Sequence, residues 1–345
     1  MSVVIESQKL TRDYGKQRGI SDLDFTVEAG EVFGFLGPNG AGKTTTIRTI
    51  LDFMRPTSGA ITVFGLDSRR DSVAIHRRIG YLPGELALYD RLTGDEILRY
   101  FGGLRGGVDD EAIDVLCERL SFDRSRPTGT LSSGNKRKLG LIQAFMHAPE
   151  LLVLDEPTSG LDPLIQHEFE EMVNEVSAQG CTVFISSHDL AEVERLCDRV
   201  AFIGDGRLIA VEDVAALKGK ALRKLEIVFA EPVPATAFAG LAGAADVRVS
   251  ASADSRVGAS GGEGGEASGE GTSITLTVTG PLDAVIKRAA SFTVADIISL
   301  QPSLEDIFMT YYGVDGAEHA EPHDPTSPQS PAMKRDGPQE ASDAR

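Results

Sequence analysis

The chain has 345 residues, 41% hydrophobic and 25% charged, with 52 acidic side chains against 34 basic ones and a formal net charge of −18. That length holds one large domain plus a smaller one, and the acidic balance argues against a general nucleic-acid binder, because attraction to phosphates needs a basic face. The spacings of Cys117, Cys181 and Cys197 fit neither a metal centre nor a disulfide framework, so a reducing compartment is expected.

The N-terminus, "MSVVIESQKL", lacks the basic start and long apolar core of a secretory signal. No run approaches the roughly 18 apolar residues of a membrane span, so any membrane role is expected to come through a partner. Tyr14, in "TRDYGKQ", is either a packing residue or an aromatic that stacks on a base. The segments "LDFTVEAGEVFGFLG" and "GAITVFG" read as hairpins and predict an antiparallel flank. Three short apolar runs, "VFGFLG" (32–37), "LLVLD" (151–155) and "CTVFIS" (181–186), fit buried parallel strands. Helical patterns follow each of them, over 43–53, 164–178 and 189–197. This order predicts an α/β core with ligands at the carboxyl ends of the strands. Residues 71–147 read as mostly helical. Within them "LSSGNKRKLG" (131–140) looks like a helix start, with Ser132 and Ser133 able to cap and Gly134 opening the backbone. Such an N-terminus is either an ordinary capped surface helix or an anion site.

The composition divides the chain into a first domain over 1–216, a small α+β domain over 217–313, and a tail over 314–345. The small domain reads strand (222–229), helix (234–241), strand (244–250), strand (273–278), helix (282–290), strand (294–300), helix (303–311). A Gly/Ser/Glu-rich insertion over 252–271 is expected to be a flexible loop. The tail carries five of the 16 prolines and almost no large apolar residues, so it is expected to be disordered.

Chemistry concentrates in the first domain. "GPNGAGKTT" (37–45) fits G-x-x-x-x-G-K-[ST] at Gly37, Gly42, Lys43 and Thr44, between a predicted strand and a predicted helix. Glycines let backbone N–H groups wrap phosphates without side-chain clash. A lysine at position 43 reaches the β/γ-phosphates, and a threonine at 44 can place its hydroxyl on Mg²⁺. "LLVLDEP" ends an apolar strand with two acids. Asp155 suits Mg²⁺ ligation, and Glu156 can polarise an attacking water. His188, ending "FISSH", either reaches a γ-phosphate or serves as a capping or core histidine.

The set "GPNGAGKTT", "LSSGN", "LLVLDEPTSGLDP" and "SSH", in this order, resembles the nucleotide-binding subunit of ATP-binding-cassette (ABC) transporters over residues 3 to about 216. The resemblance implies a P-loop NTPase core with an antiparallel β flank and a helical subdomain near 84–147. It places the ATP-binding loop on Gly37, Pro38, Asn39, Gly40, Ala41, Gly42, Lys43, Thr44 and Thr45. The Mg²⁺-binding aspartate falls on Asp155, the general-base glutamate on Glu156, the switch histidine on His188, and the adenine-stacking aromatic on Tyr14. A loop joining two active sites falls on Ser159–Asp162. Ser132 and Gly134 would touch the ATP of a second ATPase subunit, in a homodimer or heterodimer. Two positions depart from the family pattern. Gly84 stands where a glutamine normally touches Mg²⁺, leaving Glu85 as a substitute ligand. Asn135 and Ser133 replace the glutamine and a glycine of the signature.

"PSLEDIFMTYYG" (302–313) resembles the end of ATPase subunits from bacterial exporters whose permease is a separate chain. The implied protein hydrolyses ATP, dimerises on it, and powers export of a drug, antibiotic, lipid or peptide. It would lie in the cytoplasm, held on the inner face of the cell membrane by its permease. ABC ATPases that act on nucleic acid or ribosomes usually carry two cassettes or a coiled-coil insertion. The single cassette and the net charge of −18 point away from them, and no nucleic-acid partner is expected.

Overall fold

A computed structural model describes residues 2–15, 19–220, 223–241, 244–251, 272–278 and 282–300. The insertion over 252–271, the helix expected over 303–311 and the tail over 314–345 lie outside the described residues.

The chain opens with strands β1 (Val3–Arg12) and β2 (Ile20–Glu28), followed by β3 (Val32–Leu36) and helix α1 (Lys43–Ile50). Next come β4 (Ser58–Val63), β5 (Leu66–Asp67), α2 (Ser72–His76) and β6 (Ile79–Leu82). Helices α3 (Gly94–Leu104), α4 (Asp110–Arg119) and α5 (Ser133–Phe145) follow, then β7 (Leu151–Asp155), α6 (Pro163–Ala178), β8 (Thr182–Ser187) and α7 (Leu190–Leu196). Strands β9 (Arg199–Gly204) and β10 (Arg207–Asp213) lead into α8 (Val214–Lys220). The remaining described elements are β11 (Arg223–Phe229), β12 (Ala244–Ala251), β13 (Thr272–Val278), α9 (Asp283–Ala289) and β14 (Val294–Leu300).

The described strands form three sheets. An antiparallel sheet runs β2-β1-β4-β5, a six-stranded sheet runs β10-β9-β3-β8-β7-β6, and a third runs β12-β13-β11-β14. In the six-stranded sheet β3, β6, β7, β8 and β9 pair in parallel, and β10 is an antiparallel edge. Both faces of this sheet are covered, which is why its strands are continuous apolar runs. Along β7, Leu151 and Val153 join a core shared with the antiparallel sheet and α1. Leu152 and Leu154 join the opposite core, built with α5, α6 and α7. Phe25, Phe33, Phe35 and Phe184 interlock the two sheets with ring centroids 5.5–6.2 Å apart.

Three sequence expectations are corrected. The segment 23–37 is not a hairpin, because β2 pairs with β1 while β3 enters the parallel sheet. The second expected hairpin, β4–β5, is one. The mostly helical stretch 71–147 also contributes β6, the edge of the parallel sheet. The expected helix over 234–241 is only a 3₁₀ turn at Ala235–Ala237.

Candidate functional site

The carboxyl ends of three adjacent strands, β3, β8 and β7, assemble the site. The loop after β3 turns into α1 through two glycines, Gly37 and Gly42, that leave no room for a Cβ. A Cβ on Gly37 would stand 2.3 Å from the Ile203 carbonyl oxygen. Gly42 caps α1 with φ at +110°, and a Cβ there would stand 2.6 Å from Ile20 Cγ2. Pro38, Asn39 and Gly40 are exposed along the loop, while Ala41 is buried. Thr45 lies one residue beyond Thr44 in the first turn of α1, where its carbonyl accepts from Thr49 Oγ1 at 2.7 Å.

Lys43 is buried, at 6% exposure. Its Nζ donates to the Gly37 carbonyl (2.5 Å) and the Pro38 carbonyl (3.3 Å), and lies 3.1 Å from Glu156 Oε1. Glu156 Oε2 lies 2.6 Å from His188 Nδ1. Lysine, glutamate and histidine side chains therefore stand in one continuous contact row. Glu156 reaches this place because its backbone adopts φ +52°, in the left-handed region that non-glycine residues enter rarely and at functional corners. Its N–H donates to the Ser186 carbonyl at 3.1 Å.

Asp155 turns the other way and is fully buried. Its Oδ2 accepts from Thr44 Oγ1 at 2.9 Å, and its Oδ1 accepts from Ser186 Oγ. A hydroxyl and a carboxylate side by side form an all-oxygen donor set suited to a hard cation such as Mg²⁺. Gly84 lies against the same carboxylate: a Cβ added to it would stand 3.0 Å from Asp155 Oδ2. Glu85 is exposed.

Ser132 is the N-cap of α5, exposed, and its Oγ accepts from the Asn135 N–H at 3.3 Å. Gly134 is packed against the loop after β7, where a Cβ would stand 2.7 Å from the Gly160 carbonyl oxygen. That loop leads to Asp162, which caps α6 through the Ile165 N–H at 3.1 Å. Tyr14 makes its contacts outside this row. Its hydroxyl donates to Met54 Sδ at 2.6 Å, and the Arg12 guanidinium lies 5.0 Å from its ring centroid.

Among the described residues, two buried charged ones escaped sequence reading. Arg137, in α5, donates to the carbonyls of Pro83, Gly84 and Asp155. Glu192, in the first turn of α7, accepts from Ser187 Oγ. Burial raises the Glu192 carboxyl above its ordinary range, while the Ser187 and Thr158 hydroxyls favour its charged form. A charged residue at an apolar register position of a helix is the only sequence signal either one leaves.

The comparisons with known proteins agree with this geometry. The family model described as ABC transporter matches residues 20–159. The bacitracin transport ATP-binding protein BcrA of Bacillus licheniformis is 39% identical over 229 residues, covering 66% of this chain and 75% of the relative. The chain belongs to the ABC transporter ATP-binding proteins. A further member, the linearmycin resistance ATP-binding protein LnrL of Bacillus subtilis (strain 168), is 38% identical over 60% of this chain and 68% of its own. A solved ATP-binding subunit of an ABC transporter superposes with a TM-score of 0.58 at 32% identity, covering 62% of this chain and 92% of that one. The α/β core is thus the P-loop ATPase fold of the ABC family.

Proposed function

We propose that this ABC ATP-binding protein hydrolyses ATP to drive a separate membrane permease. The observation that carries the reading is the convergence of Lys43, Glu156 and His188 beside the Thr44–Asp155 pair. Gly37–Thr45 would wrap the phosphates with backbone N–H groups, and Lys43 would neutralise the β/γ-phosphates. Glu156, already beside Lys43, would accept the proton of the attacking water as general base. His188, hydrogen-bonded to Glu156, would orient that carboxylate and reach the γ-phosphate. Thr44 and Asp155 fit Mg²⁺, which when bound neutralises charge on the β- and γ-phosphate oxygens. Glu85 is the less favoured ligand because it is exposed. Tyr14 keeps 39% of its surface free, which leaves a ring face for adenine.

Ser132 and Gly134, at the exposed start of α5, would close on the ATP of a second subunit, homodimeric or heterodimeric. ATP binding more tightly to the closed pair than to separate subunits supplies the driving force. The permease would dock in a groove of about 290 Å³ whose lining includes Phe53, Tyr81, Leu86 and Phe101, beside Pro83. No helix among the described residues is long and apolar enough to cross a membrane. Attachment to the inner face of the membrane would therefore run through the permease. The bacitracin and linearmycin relatives support export of a drug, antibiotic, lipid or peptide. The 1–216 and 217–313 units would act as ATPase domain and accessory domain.

The test is phosphate release by the purified chain with and without Mg²⁺. Mg²⁺-dependent turnover is expected, and Glu156→Gln should lower it by about 100-fold or more, as for loss of a general base. Affinity for a fluorescent ATP analogue should stay unchanged. No wild-type hydrolysis would overturn the enzymatic reading, and full turnover in Glu156→Gln would overturn the assigned base. Copurification with a polytopic membrane protein checks the partner.

A further inference from the structure

Helix α5 faces two ways. Its N-cap, Ser132, is open to solvent, while Arg137, five residues on, is turned inward and only 8% exposed. Arg137 Nη1 donates to the Pro83 carbonyl at 2.8 Å and to the Asp155 carbonyl at 3.4 Å, and Nη2 donates to the Gly84 carbonyl at 2.7 Å. A guanidinium is costly to bury, and these acceptors are neutral main-chain groups. Burial disfavours its charge, and the fields of Asp155 and Glu156 restore part of it.

What the three carbonyls share is their location. Pro83 and Gly84 follow β6, Asp155 ends the adjacent strand β7, and Gly84 packs flush on the Asp155 carboxylate. The oxygen it packs against is the one that accepts from Thr44. A planar fork of donors can hold two strand ends at one spacing, which a point charge does less well.

We propose that Arg137 is a positioning residue that clamps the Pro83–Gly84 main chain against Asp155. It thereby ties the metal-holding corner of one subunit to the helix whose N-terminus carries Ser132. The glycine at 84 is part of the device, because it lets main chain rather than a side chain meet the carboxylate. A shift of α5 at its N-terminus is then passed directly to the backbone of Asp155. The inference rests on the reading of Thr44 and Asp155 as the Mg²⁺-holding pair.

The test titrates Mn²⁺ into the full chain with a non-hydrolysable ATP analogue, read by electron paramagnetic resonance. Affinity for the analogue in EDTA and the melting temperature are measured beside it. Arg137→Gln is expected to weaken Mn²⁺ binding about 10-fold or more, the usual effect of losing a group that orients a metal ligand. Its metal-free affinity should stay within about twofold of wild type. Arg137→Lys, which keeps the charge and loses the fork, should fall between. Gly84→Ala should weaken Mn²⁺ similarly, with the double variant less than additive. Wild-type Mn²⁺ affinity in both Arg137 variants would overturn the clamp. Equal loss of metal-free and metal-bound affinity would also overturn it, by showing general collapse. A wild-type chain whose nucleotide complex binds no Mn²⁺ would overturn both the clamp and the Mg²⁺ reading beneath it.

Discussion

Lys43 and Arg137 are buried cations satisfied in opposite ways. Lys43 meets a carboxylate, Glu156, and two loop carbonyls, whereas Arg137 meets main-chain oxygens alone among its hydrogen-bond partners. A third basic group, His147, shows what burial does without a carboxylate nearby. Burial and the neighbouring Arg105 push its pKa down to about 4, against a weak opposing contact with the Ile79 carbonyl at 3.2 Å. At this residue the folded state therefore holds fewer protons than the unfolded one between about pH 4 and 6.5. Stability from this residue is full above that window and is lost as pH falls through it. Urea midpoints measured from about pH 4.5 to 7 should rise with pH. A His147→Gln variant should show a shallower rise over the same window. An identical slope would show that other groups carry the dependence.

The difference in legibility follows from the same chemistry. Gly37, Lys43, Thr44, Asp155 and Glu156 were readable because their spacing along the chain is itself the signature of phosphate chemistry. Arg137 was not, because its partners are carbonyls, which every residue carries and no sequence pattern marks.

At the scale of the element, α3 is fixed by a reciprocal cap. Thr93 Oγ1 accepts from the Glu96 N–H at 3.2 Å, and Glu96 Oε2 accepts from the Thr93 N–H at 2.8 Å. Asp95 and Glu96 in the first turn also suit the positive end of the helix. Thr93→Ala should cost about 1 kcal/mol in urea unfolding, because the Glu96 N–H loses its side-chain acceptor. A change indistinguishable from zero would mean that packing on α5, not the cap, sets the helix start. Elements with a single strong pattern were readable from sequence, including β7, β8 and α6. The misread segment 23–37 joined two different patterns across a short Glu-Ala-Gly turn. β2 alternates buried and exposed residues, as a one-sided strand does, while every residue of β3 is buried. The change of pattern, rather than the turn, was the signal that the chain was passing between sheets. β6 is only four residues long and sits among helices, so its period could not be resolved.

At the scale of the molecule, the loop and both acids sit on one sheet edge, while Ser132 opens outward from another helix. That separation is what a shared site between two subunits requires. In a Glu156→Gln background, ATP should raise the mass seen by light scattering from monomer to dimer. Adding Ser132→Arg should abolish the rise while leaving ATP affinity of the single subunit unchanged. A dimer that persists in the double variant would contradict the trans role of Ser132.

The strand order also governs when this machine can exist. β3, which launches the phosphate loop, has β8 and β9 as its only neighbours in the described sheet. The Gly30 N–H that precedes it bonds to Thr182 Oγ1, a partner 152 positions later. A ribosome adding about 5–20 residues per second needs roughly 8–30 s to deliver that partner. Throughout that interval the strand that launches the loop has neither lateral partner, and its apolar length is available to chaperones or to other nascent chains. The nucleotide loop is thus synthesised well before the strands that set it in place.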